Sequence, residues 1–411
     1  MSSIPLPWRG FDQGEPEYRR ITLALFFAGF ATFALVFDAQ AVLPAIGADF
    51  GIDPSAAALT LSAATIGLAA SVLPWAWLAD RLGRAKAMQI SLSIASLLGF
   101  LAPLMPTFEA VVVTRALLGL ALGAVPAVGF AYLTEELALR RVSIAAGIFI
   151  AGNTFGGIAG RLIAGPLSET VGWRPALLAV GVLALASAIG FLVAIPPARG
   201  FQPFAPQPYS LRTRITFQLR DPMMLGLYAQ GFLLMGSFGA IYNYFGYHVQ
   251  ESPFLVPPTV VSLIFVAYLA GTASSRLSAS FVGRFGHLRV ILFGISTMVV
   301  GLALMLVPSL VVVIVGFVIF TIGTFSAHPV ASGLTGQRAQ LGRAQATALY
   351  QLSWLAGTSF FGWLAGVVFV SAGWTFAVLM VALMCAASGI IAVVSLRVFA
   401  GRRPLPPRRD N

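Results

Sequence analysis

The sequence predicts an all-α membrane protein with twelve transmembrane helices, and three observations support this. Of the 411 residues, 58% are hydrophobic and only 9% are charged, with a mean hydropathy of +0.89. A surface that faces water needs far more polar residues than this. The uncharged stretches reach the roughly 20 residues that a membrane helix requires. They also lack the alternation of polar and apolar residues that is typical of barrel strands.

The helices follow from the stretches without Asp, Glu, Lys or Arg, taken in chain order. Eight stretches predict one helix each: 21–37, 54–79, 87–108, 116–134, 142–160, 175–198, 222–247 and 252–275. Two longer stretches, 290–337 and 344–396, are each long enough for two helices. We expect their chains to fold back near Pro308–Ser309 and Ser371–Gly373.

The basic residues predict the orientation of these helices. With both termini in the cytoplasm, 22 of the 25 Lys and Arg residues lie in inner loops and tails. Arg174 is then the only base in the outer loops. This asymmetry is the positive-inside rule, so the net charge of +11 indicates topology and not nucleic-acid binding. Residues 1–20 contain no apolar core, and therefore predict no cleavable signal.

The second half of the chain repeats the first at an offset near 200 residues. AVVVTRALLGLALG (110–123) aligns with LVVVIVGFVIFTIG (310–323), and GPLSETVGW (165–173) aligns with GVVFVSAGW (366–374). DRLGRAK (80–86) likewise aligns with GRFGHLR (283–289). We predict two pseudo-symmetric six-helix bundles able to move against each other around a shared site. The expected segments are an N-terminal tail (1–20), two bundles (21–195 and 222–396), a central cytoplasmic loop (196–221) and a basic tail (397–411).

The loop WLADRLGRAKAM (77–88) concentrates one acid and three bases after a long uncharged stretch. It resembles the Gly-x-Leu-Ala-Asp-Arg-x-Gly-Arg pattern of the major facilitator superfamily. The stretches RALLGLALGAV and YLTEEL and the glycine-rich fifth helix are similar to its twelve-helix, drug:proton antiporter-like branch. The resemblance covers about residues 20–397. It implies a multi-pass transporter of the bacterial inner membrane. The positions that match the loop pattern are Leu78, Ala79, Asp80, Arg81, Gly83 and Arg84.

This loop predicts a gate. The Asp80 carboxylate lies where it can face the positive N-terminus of the eleventh helix, near Arg343, while the inner side is closed. Gly83 would allow the tight turn between two helices. The alternative is that the bases of this loop, Arg84 and Lys86 in particular, simply obey the positive-inside rule, although Asp80 adds no orientation signal.

Three charged residues fall inside predicted helices, where they are costly unless paired or hydrated. Asp38, Arg115 and Arg161 lie at a similar depth on the first, fourth and fifth helices. We expect Asp38 to carry a proton under the influence of Arg115, Arg161 or a substrate. Arg115 with Gly119 also resembles the family's Arg-x-x-x-Gly motif, which is associated with proton transfer. A static salt bridge between the helices is the alternative.

The fifth helix carries Gly152, Gly156 and Gly160 at four-residue intervals, with Gly157 beside them. This spacing permits close helix packing. It falls where the resemblance places an antiporter motif, although Asn153 stands at the position of its proline. Both a packing role and an antiport role remain open, and Asn153 is a candidate substrate contact.

Polar residues on the seventh and tenth helices complete the candidate site. His328 titrates near neutral pH in its ordinary state, and could carry a proton or make a hydrogen bond within the bundle. Gln230, Tyr242 and Asn243 are candidate substrate contacts, because the resemblance implies that these helices line the cavity.

The sequence therefore predicts alternating access, with proton-coupled efflux of a small amphipathic molecule. Efflux or uptake of a sugar or other metabolite is the alternative. A membrane-embedded enzyme or a non-transporting receptor is disfavoured, since no phosphate-binding loop or metal-ligand spacing occurs. The expected partners are the lipid bilayer, a small-molecule substrate and protons, with no nucleic acid, cofactor or metal. We expect a monomer.

Overall fold

The computed structural model describes residues 8–201, 209–399 and 401. Parts of the predicted tails and of the central loop, including Arg402, Arg403, Arg408 and Arg409, lie outside these residues. Within the described residues, twelve helices are long and apolar enough to cross a membrane. They are α1 (Pro16–Ala41), α2 (Pro54–Leu82), α3 (Arg84–Leu104), α4 (Phe108–Glu136), α5 (Leu139–Val171), α6 (Trp173–Ala194), α7 (Pro222–Gln250), α8 (Pro258–Phe285), α9 (His287–Leu304), α10 (Leu310–Arg338), α11 (Gln345–Ala372) and α12 (Trp374–Val398).

The predicted all-α fold with twelve helices is confirmed. The two long uncharged stretches each divide where expected, since α9 ends at Leu304 before α10 begins at Leu310. In the same way, α11 ends at Ala372 and α12 begins at Trp374. No β-strand occurs within the described part of the chain. Charged residues such as Glu136 and Arg338 are included at helix ends, where the helix runs beyond its uncharged stretch.

Two glycines at equivalent positions of the repeat make the same turn. Gly83 joins α2 to α3 with φ of 92°, and Gly286 joins α8 to α9 with φ of 79°. A residue with a Cβ atom rarely adopts these positive φ angles. The aligned pair DRLGRAK and GRFGHLR therefore specifies one backbone turn in both halves. The second half keeps the turn although it lacks the acid of the first.

The hydrophobic core is divided between the halves. One buried cluster is formed almost entirely by residues between Met224 and Ala392, and two others by residues between Phe11 and Ile195. The connection between the halves is fastened at both of its ends. The buried Glu136 carboxylate accepts hydrogen bonds from the backbone N–H groups of Arg199 and Gly200. Farther along, Asp221 caps α7 and forms a buried salt bridge of 2.8 Å with Arg338 of α10.

We refer to the end of the molecule where α1 begins as the inner end, following the orientation that the basic residues predict. At the outer end, the two halves are in contact. The Glu169 carboxylate of α5 accepts hydrogen bonds from Thr259 of α8, at 3.1 Å from its N–H and 2.5 Å from its hydroxyl. Nearer the middle, the hydroxyls of Thr65 (α2) and Ser359 (α11) lie 2.7 Å apart. The structure is therefore closed at its outer end.

Candidate functional site

The last turn of α1 is a 3₁₀ segment, Asp38–Ala41, and it holds the candidate proton site. Asp38 Oδ1 lies 2.8 Å from Arg115 Nη1 of α4, and both side chains are buried. The guanidinium also donates to the carbonyl oxygens of Leu35 and Val36, at 2.9 Å each. These carbonyls have lost their helical partners, because α1 ends there. The depth comparison thus correctly predicted that Asp38 and Arg115 would lie together.

Arg161 departs from that expectation, since its guanidinium does not contact Asp38. Its Nε and Nη2 both donate to Gln40 Oε1, at 2.8 and 2.6 Å, and Nη1 donates to the Gly157 carbonyl oxygen. Arg161 is 1% exposed. No carboxylate within the described ranges lies within salt-bridge distance of it. Gln40 was missed from the sequence, because an uncharged residue in a helix end gives no signal comparable to a buried charge.

Aromatic rings from both halves surround the Arg161 guanidinium. Its central carbon lies 4.7 Å from the ring centre of Phe37 in α1 and 6.0 Å from that of Tyr242 in α7. Two rings of α8 lie at a similar distance, Phe265 at 5.6 Å and Tyr268 at 5.7 Å. Such contacts attract a cation to the ring faces. They do not neutralise its charge.

Gln40 links Arg161 to the second half of the chain. Its Nε2 donates to Asn243 Oδ1 of α7 at 2.7 Å, and both side chains are buried. Tyr242, the residue before Asn243, places its hydroxyl 2.9 Å from that of Thr321 in α10. Asn243 therefore belongs to the closed contact between the halves, whereas the Tyr242 hydroxyl is bonded within the second half.

The glycines of α5 are packed directly against α1. A Cβ atom on Gly152, Gly156 or Gly160 would lie within 2.8 Å of a backbone carbonyl oxygen of α1. Gly157 lies on a different side, where a Cβ atom would be 3.3 Å from Arg161 Nη1. The spacing therefore produces the close helix packing that it predicts. The antiport role of this motif stays a prediction.

Other candidates lie in contacts between helices. His328 Nδ1 is 3.0 Å from the Tyr350 hydroxyl of α11, which also donates to the His328 carbonyl oxygen. Gln230 is fully buried, and its amide exchanges two hydrogen bonds with Ser388 of α12. Gln230 thus faces α12 and not a cavity, because Ser388 satisfies both of its polar atoms. Asn153 Oδ1 is buried next to Gly29 of α1, and no hydrogen-bond partner for it occurs in the described part of the chain.

The predicted gating residues surround the inner end of α2. Asp80 forms a salt bridge with Arg84, which also contacts Glu135 of α4 at 3.2 Å. The Arg81 guanidinium lies over the Trp77 ring, 3.8 Å from its centre. Asp80 is 60% exposed, and no hydrogen bond or salt bridge to α11 is described for it. The gate itself stays a prediction, and it concerns the state in which the inner side is closed.

We also searched residues 8–201, 209–399 and 401 for clusters of side chains that could bind a metal ion. No group of three His, Cys, Asp or Glu side chains in these ranges could hold a metal ion. The charged groups of this arrangement are one buried acid paired with a buried arginine, and a second buried arginine between the halves.

Comparison with known proteins identifies relatives along the whole chain. Residues 21–257 match the model of the Major Facilitator Superfamily. The chain is 40% identical to the inner membrane transport protein YnfM of Escherichia coli, over 93% of this chain and 92% of that protein. It is 34% identical to the uncharacterised transporter YybF of Bacillus subtilis, over 90% and 92%. A gallate transporter of Pseudomonas putida is 33% identical over 40% of this chain and 36% of its own length.

A solved structure has the same fold. It is a bacterial homologue of the human lysosomal transporter Spinster, in an inward-facing and occupied conformation. The TM-score is 0.75 at 16% identity, covering 96% of this chain and all of the other.

Proposed function

Since this chain belongs to the Major Facilitator Superfamily and is a multi-pass secondary transporter of the inner membrane, we propose that it couples the export of a small amphipathic molecule to proton entry. In this proposal, alternating access moves one six-helix half against the other around the Arg161 region. With the orientation that the basic residues predict, a structure closed at its outer end would be the inward-facing state of this cycle.

The buried ion pair between Asp38 and Arg115 supports this proposal more than any other observation. A carboxylate inside a bundle is stabilised only by a partner charge and hydrogen bonds, and Arg115 supplies both. A proton on Asp38 would cancel one of the two charges. Arg115 would then lose the ionic attraction of Asp38 and depend mainly on the Leu35, Val36 and Thr60 carbonyl oxygens. Because the pair joins α1 to α4, proton uptake would change how these helices are held together.

The Asp80 gate would bias the cycle towards the outward-facing state. When the inner side closes, the Asp80 carboxylate would meet the N-terminus of the eleventh helix and stabilise the outward-facing state by about 0.3–2 kcal/mol. In the outer-closed structure the Asp80 carboxylate is exposed and pairs with Arg84, so this contact would have to be made in addition to that salt bridge or in its place. Release of this gate would then favour the inward-facing state.

The test uses purified protein in liposomes with an imposed pH gradient and a lumenal pH dye. Cationic drugs, neutral amphiphiles, pentoses, amino acids and aromatic acids are added one at a time. We expect one class to trigger proton flux. In Asp38→Asn this flux should disappear, while exchange of substrate without a gradient continues.

The control is Asp49→Asn, because Asp49 also pairs with an arginine, Arg174, but lies half-exposed at the outer end. It should retain gradient-driven flux. If flux survives in Asp38→Asn, Asp38 is a structural residue and the proton proposal is wrong.

A second substrate class is favoured by one comparison. The relative that is named a gallate transporter matches part of this chain. An organic acid is therefore a second candidate cargo beside the neutral or weakly cationic amphiphiles that the scarcity of charge suggests. Sugars and other metabolites remain in the panel as a further alternative.

A further inference from the structure

The two buried arginines at the outer end differ in one respect, namely how their charge is balanced. Arg115 has a carboxylate, Asp38, at 2.8 Å. Arg161 is equally buried, yet its hydrogen-bond acceptors are the neutral Gln40 amide and the Gly157 carbonyl. A buried charge without a counter-ion costs several kcal/mol, so such residues inside a membrane are usually functional. The positive charge of Arg161 is thus available to an anion.

The geometry at Arg161 indicates which kind of anion fits. Gln40 Oε1 accepts from both Nε and Nη2, on the edge of the guanidinium that a carboxylate binds with two parallel hydrogen bonds. The amide oxygen therefore occupies the place of a carboxylate oxygen. The rings of Phe37, Phe265 and Tyr268 around the guanidinium provide flat apolar surfaces. An aromatic group attached to a carboxylate would match both features.

We propose that Arg161 binds the carboxylate of an aromatic organic anion, which replaces Gln40 when the halves separate at the outer end. This inference rests on the proposed transport function and specifies its substrate class. Gln40 Nε2 also donates to Asn243 Oδ1 of the other half. A carboxylate that takes the Arg161 edge removes one of the two anchors of Gln40. Anion binding and opening of the outer contact are therefore linked through one side chain.

The experiment measures exchange of labelled benzoate across proteoliposomes at equal pH on both sides. Benzoate, benzyl alcohol and benzylamine serve as competitors, because they share a ring and differ in charge. We expect unlabelled benzoate to compete and the other two to fail. In Arg161→Gln, the benzoate concentration that gives half-maximal exchange should rise roughly ten- to a hundredfold. This is the loss expected for a charged hydrogen-bonded contact. For Arg161→Lys, this concentration should lie between those of the unmodified protein and Arg161→Gln. Lysine keeps the positive charge but cannot donate two parallel hydrogen bonds to a carboxylate.

Gln40→Glu tests the site without removing the arginine. It places an internal carboxylate of nearly the same shape on the Arg161 edge, so it should abolish benzoate exchange while Arg161 stays paired. Arg174→Gln is the matched control. Arg174 also lies against aromatic rings at the outer end, but Asp49 already neutralises it. Its exchange should equal that of the unmodified protein.

The outcomes separate this inference from the proton proposal. Benzyl alcohol competing as well as benzoate, no benzoate exchange by the folded protein, or unchanged exchange in both Arg161→Gln and Gln40→Glu would overturn the anion site. If benzoate exchange depends on Arg161 while a pH gradient drives no flux, the anion site stands and the proton coupling fails. Elution as a single species and an unchanged melting temperature establish that each variant is folded.

Discussion

Gly156→Ala tests whether α1 and α5 are in direct backbone contact. A Cβ atom at this position would lie 2.1 Å from the Phe30 carbonyl oxygen, about 1.3 Å closer than an ordinary van der Waals contact. The carbonyl belongs to helical backbone, so it cannot rotate away as a side chain would. Gly152 and Gly160 make equivalent contacts one turn before and after it. The methyl group can therefore be accommodated only by separating the two helices.

The expected cost follows from two opposing contributions. Inserting a methyl group into a well-packed contact costs about 1–3 kcal/mol. Alanine restores up to about 1 kcal/mol through its higher helix propensity. Because the added atom meets backbone, we expect the insertion cost in the upper part of this range, about 2–3 kcal/mol, and therefore a net loss of about 1–2 kcal/mol in the free energy of unfolding. The control is Gly147→Ala on the same helix, where nothing lies within 4 Å of the added atom. It carries only the favourable contribution and should be neutral or slightly stabilising.

Thermal unfolding in detergent, followed by tryptophan fluorescence, compares the two variants. Gly156→Ala should melt several degrees below the unmodified protein, and Gly147→Ala at or above it. Equal melting temperatures for both would refute the direct contact between the helices. In that case, the glycine spacing of α5 would require an explanation other than packing.

Two further predictions concern the inner and outer ends. Asp221→Asn should lower the free energy of unfolding by about 3–5 kcal/mol in chemical denaturation, because it leaves the buried Arg338 charge without its carboxylate; a loss below 1 kcal/mol would contradict this. In the Glu169→Cys, Thr259→Cys double variant, a disulfide should form across the closed outer contact. Adding Asp80→Asn should speed its formation roughly two- to thirtyfold, since the outward-facing state loses its gate; an unchanged rate would exclude the gate.

The sequence was sufficient for the helices because one physical rule governs them. Charged residues are costly in a bilayer, so the uncharged stretches define the spans, and the turn near Pro308–Ser309 divides a stretch that is too long for one helix. The same rule identified Asp38 and Arg115, which are charged and lie at one depth. Depth along a helix can be counted at 1.5 Å per residue.

The depth of a residue in the membrane does not give the direction in which its side chain points. The hydrogen-bond partners of the other candidate residues depend on that direction. Arg161 lies near the depth of Asp38 but bonds to Gln40, whose amide carries no charge to reveal it. Gln230 was expected in a cavity, whereas Ser388, about 160 residues later in the chain, satisfies its amide. Such pairings follow from how helices are rotated about their axes, which a single sequence without aligned relatives does not specify.

The carbonyl-to-glycine contacts also restrict which parts of the protein can slide. No layer of side chains separates α1 from α5 at Gly152, Gly156 and Gly160. The two helices therefore have little freedom to slide past each other and should move as one rigid unit. Asp38 of α1 and Arg161 of α5 belong to this rigid unit, so the distance between them should stay nearly constant. The moving partners are Asn243 and the rings of α7 and α8. During the cycle, the α1–α5 pair would then keep its internal geometry, and only its contacts with α7 and α8 would change.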